Sequence, residues 1–539
     1  MNVDLLIQNG LLVDGTGEPG THGSVAVKDG KIIVTEIEHV TAREVIDASG
    51  LVVAPGFIDI HTHSDLTLLI DSRGASKVSQ GVTTEIIGNC GLSTAPCPLE
   101  WKSNIIDSAS ILYGDIADWN WTDYREYVQE FDRRGISLNV GFFVGHGTVR
   151  AAVMGYEDRK PTRAEMDQMK AIVADGMENG AVGLSSGLIY PPGSFAEIEE
   201  LVELCSVAAG YGGIYSTHMR DEGDGLLDSI EESLEVARRA NIPLQISHLK
   251  STGKRNWGKM KEAVEYIEKA RAEGVDVHYD FYPYTASSTY LTALLPKWVH
   301  DGGWEKAVER ISDFPTRVKM KAEIEAQVSQ YGWNNILIAG VKTELNREFE
   351  GRTIAELGNI TKQEPVDAML DLLAEEEGQV SIVRFTMSEE DVSIAAAGTL
   401  SMVGSDGLAI AKDGVLGRGK PHPRSYGSFP RVFAKFQREQ NLFSLEQAVY
   451  KMTGAAAQKL NLKNRGFIKD GFAADLVVFD PKQIRDIATF TDPHRYSEGV
   501  VSVYINGVKA YDQGQFLNPK SGVVVRPHAT SEKGRGDRS

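Results

Sequence analysis

The segment GFIDIHTHSD, residues 56–65, ends an apolar run with two histidines one residue apart, His61 and His63. In a β-strand, side chains two positions apart project from the same face, so both imidazoles can point at one object. Imidazole is a common metal ligand, and the shared face favours a metal ion as that object. A pair of hydrogen-bonded structural histidines is the alternative interpretation.

Residue types that bind metals or move protons also end later apolar runs. In chain order they are Cys90, His146, His218, His248, Tyr282 with Tyr284, and Asp406. Five of the 12 histidines lie at such run ends, which chance placement does not explain. Imidazole and thiolate suit Zn²⁺, and a carboxylate completes or bridges such a site. Taken singly, Cys90 also fits an inert buried thiol, His146 a core hydrogen bond and Asp406 a turn.

One architecture would place all of these residues together. Eight apolar runs alternate with helical stretches, a pattern typical of βα units and a parallel sheet. The runs are GFIDIHTH, VTTEIIGNC, LNVGFFVGH, AVGLSSG, GGIYSTH, PLQISH, VDVHYDFYPY and LSMVGSD. Eight such units predict an α/β fold, a (β/α)₈ TIM-type barrel whose active site lies at the carboxyl ends of its strands. Two further runs, NNILIAGV and VSIVRFTM, compete with LSMVGSD for the eighth place.

The two chain ends differ from the middle. Short strands with tight turns occupy residues 1–55 and again 464–527, which predicts one small β-sandwich or β-barrel domain built from both ends. Asp29-Gly30 and Asn506-Gly507 are hairpin dipeptides, because these residue types accept the positive φ of such turns.

The barrel is predicted to span residues 56–463. A helix in this region begins at Thr162 and Glu165, which have capping-box spacing. The segment 288–341 is rich in Trp, has a helical pattern and is longer than a normal connecting loop. We therefore interpret it as an insertion late in the barrel and a candidate lid. The polar tail 528–539 is predicted to be disordered.

The composition disfavours several classes of protein. Hydrophobic residues make up 42% of the 539-residue chain and charged residues 24%, as in ordinary globular proteins. With 56 basic and 75 acidic residues the formal net charge is −19, which disfavours a nucleic-acid partner. The sequence has neither a run of about 20 apolar residues nor a secretory leader pattern, and its three cysteines form no CxxC array. We expect a cytoplasmic protein without a membrane partner or disulfide framework.

Several motifs together resemble one known family. The strings PGFIDIHTHSD, GNCG, STHMRDE, ISHLK, DFYPYTASS, GSDG and KPHPRSYGSFPRV are similar to those of the N-acyl-D-amino-acid deacylases (D-aminoacylases) of the metal-dependent amidohydrolase superfamily. The likeness covers nearly the whole chain. The HxH motif alone marks only the superfamily, whereas a cysteine at the second strand end together with SHLK and PHPR is much narrower.

The resemblance implies a metal centre. The implied ligands of one tightly bound Zn²⁺ are Cys90, His218 and His248, and those of a second, weaker or empty position are His61, His63 and Asp406. Many superfamily members bridge two metals with a carboxylated lysine. In this sequence the fourth strand end reads GLSSG and has no lysine, so the Cys90 thiolate would take that place.

The implied reaction is hydrolysis of the amide bond of N-acyl-D-amino acids. Zn²⁺ lowers the pKa of a bound water towards about 7 and polarises the carbonyl. Asp406 would accept the water's proton and pass it to the leaving amine. Tyr190 resembles the family tyrosine that donates to the developing oxyanion, although a packed aromatic before a Pro-Pro turn is the alternative.

The resemblance also implies how the substrate is held. Lys250 and Arg424 are similar to the family's clamp for the substrate carboxylate, and the planar fork of arginine can bind both oxygens. An isolated loop arginine is otherwise a solvated surface charge. Tyr282 and Ser287 are neighbouring donors, and the sequence leaves open whether Tyr284 and Ser288 face the substrate in their place.

The expected preference for the side chain of the substrate rests on the sequence segment that follows Tyr282 and Tyr284. STYLTALLPKW is mostly apolar and offers Lys297 as its first cation. We therefore expect neutral or hydrophobic D-residues to be preferred over D-Asp and D-Glu, because a buried acid would need a paired charge. The sequence gives neither the acyl preference nor the oligomeric state.

Two alternative functions remain at this level. One is a cyclic-amide hydrolase such as a hydantoinase, or a dipeptidase. Such an enzyme would be expected to have the bridging lysine or a loop that binds a ring. A non-catalytic barrel that serves as an assembly scaffold would have lost ligands, and the sequence retains every expected one.

Overall fold

The central feature of the fold is a sheet of eight parallel strands. The computed structural model describes residues 1–34, 40–99, 102 and 119–527. In chain order the eight strands are β6 (Phe57–Asp59), β7 (Val82–Ile87), β8 (Asn139–Gly145), β9 (Gly183–Gly187), β10 (Ile214–His218), β11 (Leu244–Ile246), β12 (Val277–Phe281) and β16 (Ser401–Val403). Each pairs in parallel with the next. They are the eight runs predicted from the sequence, so the (β/α)₈ fold is confirmed.

The barrel closes between its first and last strands. β6 and β16 are the two ends of the sheet order, and just beyond them a parallel bridge joins Thr62 to Gly407. The backbone N–H of Asp406 donates to the carbonyl of His61 at 2.8 Å, and that of His63 donates to Gly407 at 2.9 Å. We call this junction the barrel seam. It places the HxH segment beside the GSDG turn.

Helices follow the strands along the first part of the barrel. They are α1 (Thr67–Ile70), α2 (Ala75–Val78), α3 (Tyr124–Arg134), α4 (His146–Met154), α5 (Arg163–Glu178), α6 (Ile198–Gly210), α7 (Leu226–Ala240) and α8 (Met260–Ala272). Thr162 and Glu165 form the predicted capping box at the start of α5. Among the described residues, no helix combines the length and the apolar character needed to cross a bilayer.

A separate unit lies between β12 and β16. Its antiparallel sheet has the order β13-β15-β14, and its own buried core includes Leu294, Met320 and Leu370. The elements are β13 (Ala286–Tyr290), α9 (Trp304–Ser312), α10 (Phe314–Val328), β14 (Ile336–Val341), α11 (Ile354–Thr361), α12 (Pro365–Glu375) and β15 (Val380–Phe385). The two competing runs are thus β14 and β15, outside the barrel. β15 is the central strand of this sheet and lies beyond the predicted range 288–341; the candidate lid stays a prediction.

The chain returns to the barrel after this unit. The remaining helices are α13 (Glu389–Ala397), α14 (Arg424–Arg431), a π-helical continuation (Val432–Glu439), α15 (Leu445–Met452) and α16 (Gly454–Lys459). α14 begins at Arg424, so the PHPR motif lies at a helix start. That position brings the arginine to the strand-end face, as described below.

Both chain ends meet in a nine-stranded sheet, as predicted. Its strands are β1 (Asn2–Leu12), β2 (Thr21–Lys28), β3 (Lys31–Ile33), β4 (Thr41–Asp47), β5 (Val52–Pro55), β17 (Leu476–Phe479), β18 (Val500–Ile505), β19 (Val508–Asp512) and β20 (Gln515–Phe516). β5 joins the two ends because it pairs with both β1 and β17. Both predicted hairpin dipeptides have positive φ at each residue. The exact domain limits stay predictions, and the tail 528–539 lies outside the described residues.

Candidate metal centre

The six predicted ligands gather at the carboxyl ends of the barrel strands. The first ligand group consists of Cys90, His218 and His248, and the second ligand group consists of His61, His63, Cys90 and Asp406. Within each group the candidate ligand atoms lie within 4.8 Å of one another, and every member is buried. Cys90 is shared. His146 belongs to neither group and instead contacts the buried Glu200 at 2.8 Å, as its core interpretation predicts.

Three of these residues have an unusual backbone. Cys90, His248 and Asp406 have φ values of 55°, 38° and 51°. This left-handed region is uncommon for residues other than glycine and persists only where surrounding contacts enforce it, often at functional sites. After Cys90 the turn packs closely on β9, since a Cβ on Gly91 would lie 2.7 Å from the backbone nitrogen of Gly187. The turn that positions the Cys90 thiol therefore requires the glycine at position 91 of the GNCG motif.

The first ligand group contains polar atoms without protein partners. Cys90 Sγ lies 3.5 Å from His248 Nε2, and the rings of His218 and His248 are 4.3 Å apart. Neither ring nitrogen of His218 has a hydrogen-bond partner among the described residues; a carboxylate oxygen of Glu222 lies 3.7 Å from Nε2. Buried polar atoms normally have partners. A metal ion would supply one, and the donor set of one thiolate and two imidazoles fits Zn²⁺.

The second ligand group crosses the barrel seam. His61 Nε2 lies 3.3 Å from Cys90 Sγ, and His63 Nε2 lies 3.0 Å from Asp406 Oδ1. Asp280 of β12 holds the other side of the His61 ring, with Oδ1 at 3.1 Å from Nδ1. A carboxylate in this position fixes the ring orientation and leaves Nε2 for a metal.

Burial and neighbouring charge set the protonation of the first ligand group. Burial raises the pKa of the Cys90 thiol, but the positive charges of His61 and His248 outweigh that effect and hold the pKa well below its usual value. Burial also lowers the pKa of His218, despite the Glu222 carboxylate. Thiolate and neutral imidazole are the forms that bind Zn²⁺, so Cys90 and His218 are already in that form. Burial and Lys250 lower the pKa of His248, but the charges of Glu222, Asp406 and Cys90 raise it overall, so this ligand would release a proton to a metal.

Asp406 and His63 have opposite shifts in the second ligand group. Burial raises the pKa of Asp406, but the Arg424 and His248 charges outweigh it and hold the pKa well below the usual range. Burial lowers the pKa of His63, but the hydrogen bonds with Asp406 and Cys90 raise it to about 9. Metal binding would therefore displace a proton from this pair.

A cavity of about 320 Å³ opens from the metal centre. Cys90, His63 and Asp406 lie in its wall, and residues of the β13–β15 unit line the opposite part. Tyr190 lies between these parts: its ring meets the His218 ring edge-on at 5.0 Å, and its hydroxyl is 3.0 Å from Thr289 Oγ1. Burial, with the nearby Cys90 charge, raises the pKa of Tyr190, so its phenol keeps a proton that it can donate.

The two predicted clamp cations lie beside the centre, each paired with an internal acid. Lys250 Nζ is 2.5 Å from Glu222 Oε1 and 2.7 Å from His248 Nδ1. Arg424 Nη1 is 2.6 Å from Asp406 Oδ2. Buried charges need such counter-charges. Sequence reasoning missed Glu222, although its four-residue spacing from His218 in STHMRDE is a signal.

The neighbouring tyrosines and serines that the sequence left open lie in different surroundings. Tyr282 lies 5.0 Å beneath the Arg424 guanidinium, whereas the Tyr284 hydroxyl donates to Asp486 at 3.4 Å. Ser288 lines the cavity. Ser287 is not part of the described wall, and its buried Oγ has no hydrogen-bond partner among the described residues.

Known proteins similar to this chain fall in one family. The family model described as Amidohydrolase family matches residues 44–511. Three curated enzymes of Alcaligenes xylosoxydans xylosoxydans are each 34% identical to the chain: D-aminoacylase, N-acyl-D-aspartate deacylase and N-acyl-D-glutamate deacylase. The alignments cover 97%, 97% and 95% of this chain and 97%, 95% and 94% of the relatives.

Two solved structures extend the likeness to three dimensions. N-acyl-D-glutamate deacylase from Bordetella bronchiseptica, complexed with zinc and a phosphonate that mimics the tetrahedral intermediate, has a TM-score of 0.83 at 33% identity, over 98% of this chain and 100% of that one. The second structure is a D-aminoacylase with a binuclear metal centre, for which one-metal activation and second-metal attenuation are described. Its TM-score is 0.80 at 33% identity, over 97% of this chain and 100% of that one. The chain therefore belongs to the amidohydrolase family, in the D-aminoacylase branch that its motifs predicted.

Proposed function

We propose that the protein is a zinc-dependent hydrolase that cleaves the amide bond of N-acyl-D-amino acids to a carboxylate and a free D-amino acid. The first ligand group holds one Zn²⁺ tightly, and the second ligand group forms a weaker position that shares Cys90. The observation that carries this proposal is the convergence of a thiolate, four histidines and Asp406 within ligand distance. His218, whose ring nitrogens have no hydrogen-bond partner among the described residues, supports a metal in the first position.

The chain's own residues perform the proton transfers. Zn²⁺, when bound, supplies a Lewis acid that acidifies water and polarises the substrate carbonyl. Asp406 accepts the proton of the attacking water and delivers it to the leaving nitrogen, so one carboxylate serves as base and then as acid. Tyr190 donates its phenolic proton to a hydrogen bond with the developing oxyanion.

Lys250 and Arg424 bind the substrate carboxylate, with Tyr282 beside them and Ser287 or Ser288 as a further donor. Arg424 pairs with Asp406 at 2.6 Å, so the substrate carboxylate competes for that guanidinium. When the substrate takes it, Asp406 loses its main stabilising charge and becomes a stronger base. Binding of the carboxylate and activation of the base are then coupled.

The proposal includes a preference for neutral or hydrophobic D-side chains. Lys297 lies over the Phe195 ring at 5.1 Å and takes no part in the described cavity wall. Apolar residues of that wall include Leu92, Tyr290 and Leu408. Such a surface favours an apolar side chain and penalises an unpaired acid.

Three cations that the sequence did not single out also line the cavity: Lys342, Arg347 and Arg418. Lys342 and Arg347 form ion pairs with glutamates, and Arg418 is exposed and stays hydrated. We therefore keep the neutral preference. It is tested by the kcat/KM ratio of N-acetyl-D-Leu to N-acetyl-D-Glu, and comparable values would contradict it; loss of D-Glu turnover in Arg418→Gln would identify the cation responsible.

One experiment tests the reaction itself. Purified protein is analysed for metal and assayed with N-acetyl-D-methionine, its L enantiomer and a hydantoin. We expect zinc, turnover of the D enantiomer alone, loss of activity with a chelator and recovery with added Zn²⁺. Turnover of the hydantoin alone would favour a cyclic-amide hydrolase, and a metal-free protein inactive on all three would favour the scaffold alternative.

A further inference from the structure

A second cluster of charged residues lies completely buried beneath the metal centre. Lys77 of α2, Asp59 of β6 and Glu85 of β7 all have 0% side-chain exposure. Lys77 Nζ is 2.7 Å from Asp59 Oδ2 and 3.1 Å from Glu85 Oε1. It also donates to Ser405 Oγ at 2.6 Å. The ammonium thus donates two hydrogen bonds, to Asp59 and Ser405, and forms an ion pair with Glu85. None of these residues takes part in the proposed reaction.

The cluster connects the two sides of the barrel seam. On the first strand, Asp59 Oδ1 lies 3.4 Å from the backbone nitrogen of His61. On the last strand, the same oxygen accepts from the backbone nitrogen of Ser405 at 2.8 Å. Ser405 Oγ in turn accepts from the backbone nitrogen of Gly407 at 3.0 Å. Lys77 is therefore bonded to the residue before Asp406 and to the acid two residues before His61.

The barrel seam needs side-chain contacts that hold β6 and β16 together. Neighbouring barrel strands are joined by ladders, whereas among the described residues β6 and β16 are joined by the single bridge between Thr62 and Gly407. Asp406 also adopts a left-handed backbone, with φ of 51°, which surrounding contacts must enforce. A buried ion cluster is weak evidence for stability, because apolar residues of similar volume often do as well. Its position at the seam gives it a different role.

We propose that Lys77 is a positioning residue that sets Asp406 against His61 and His63 across the barrel seam. It touches neither metal nor substrate. Through Ser405 and Asp59 it fixes the separation of the two halves of the second ligand group, and so determines the affinity of the second metal position and the efficiency of the proton shuttle. The inference rests on the proposed function for its catalytic part, whereas its metal-binding part stands on the geometry alone.

The test compares Lys77→Met and Ser405→Ala with a matched lysine–serine pair at the opposite end of β16. Lys451, also buried, donates at 2.6 Å to Gly398 O and to Ser401 Oγ, at the opposite end of β16. Lys451→Met and Ser401→Ala therefore remove the same groups away from the seam. Zn²⁺ and Co²⁺ titrations of metal-free protein, thermal unfolding, and separate kcat and KM values are measured for all four variants.

We expect Lys77→Met to weaken the second metal about 10–100-fold, as supporting residues of metal ligands commonly do, with the first metal retained. kcat should fall while KM stays within about twofold, since Lys250 and Arg424 remain. Ser405→Ala should shift both quantities in the same direction by less, and the Lys451 and Ser401 variants should change only the unfolding temperature. Ser405→Ala leaves the ion cluster intact, so it decides the matter if Lys77→Met does not fold.

Two outcomes would overturn the inference. One is a second-metal affinity and kcat in Lys77→Met and Ser405→Ala equal to those of the Lys451→Met and Ser401→Ala controls. The other is an equal loss of both metals, which would make the cluster a general support of the centre. If the wild type binds two metals but does not hydrolyse N-acyl-D-amino acids, the proposed function fails, while the titrations still decide the role of Lys77.

Discussion

The two ligand groups use similar donors but differ in what those donors already bind. In the first ligand group, both nitrogens of His218 lack hydrogen-bond partners among the described residues. In the second, His63 lies 3.0 Å from Asp406 and Asp406 lies 2.6 Å from Arg424. An ion entering the first group gives the His218 nitrogens a partner and displaces one contact, that of Cys90 with His248, whereas one entering the second must compete with both the His63–Asp406 and the Asp406–Arg424 pair. We therefore expect the two groups to bind metal with unequal affinity. The cause would be the protein partners that the metal must displace, and not the type of ligand.

The groups also differ in their support. His218 and His248 stand at the ends of β10 and β11, which are hydrogen-bonded neighbours in the sheet. His63 and Asp406 face each other across the barrel seam, where a single bridge and side-chain bonds replace the ladder. The group carried by two paired strands suits a resident metal, and the seam group suits a residue that must change partners during a reaction.

The largest expected effect comes from Asp406→Asn. The amide keeps the size of the side chain and can still contact Arg424, but it cannot accept a proton from water. A positioned acid–base group contributes about 10²–10⁴ in rate, and the double role here predicts a kcat loss at or above the upper end. Zinc content should stay near one ion per chain, measured on the purified variant.

Two results with Asp406→Asn would break the comparison. Near-normal turnover would move the base elsewhere, with His61 or His63 next in line. Loss of all metal would make Asp406 a primary ligand, and the first ligand group would then be insufficient on its own.

Cys90→Ser should affect both groups, because the thiolate is shared. A hydroxyl is a poor replacement for thiolate on Zn²⁺, so zinc affinity should fall by more than the roughly 10–100-fold typical of supporting residues. Activity should fall with it. Circular dichroism should show a retained fold, since the barrel core does not depend on the site. Full zinc and full turnover would make the thiol structural.

Arg424→Met and Lys250→Met test the clamp. Removing one partner of a desolvated charge pair costs about 2–5 kcal/mol, and kcat/KM for N-acyl-D-amino acids should fall accordingly. The tight zinc should remain in both variants. An amide substrate without a carboxylate serves as control: if its hydrolysis falls by the same factor, the cations support the centre and do not bind the carboxylate.

The sequence predicted the strand-end positions of the candidate ligands, because those positions are local properties. A histidine or cysteine that ends a buried run must lie at the rim of a parallel barrel, and eight runs were recognisable without their partners. Asp280 and Lys77 were missed for the opposite reason. Asp280 meets His61 from 219 residues away, and Lys77 meets Ser405 from 328. Such contacts depend on the closure of the barrel, which no local pattern contains.

The β13–β15 unit shows the same limit. β15 is an apolar run of barrel-strand length, and only its antiparallel pairing with β13 and β14 removes it from the barrel. The cavity cations Lys342 and Arg347 belong to this unit and its loops, so the sequence could not place them at the site. The predicted substrate preference therefore rests on fewer sequence observations than any other part of the proposed function.

The smallest expected effect, and the most selective, comes from Asp280→Asn. An asparagine oxygen can still accept from the backbone nitrogen of His248, which Asp280 does at 2.8 Å, so the first ligand group should be little changed. The charge that orients the His61 ring is lost, and the second metal should weaken by about 10–100-fold. Asp475→Asn, a buried acid of the small β domain, controls for loss of a buried charge. Equal weakening of both metals in a Zn²⁺ titration would mean that Asp280 supports the two groups alike. The contrast between the group on paired strands and the group across the barrel seam would then not hold.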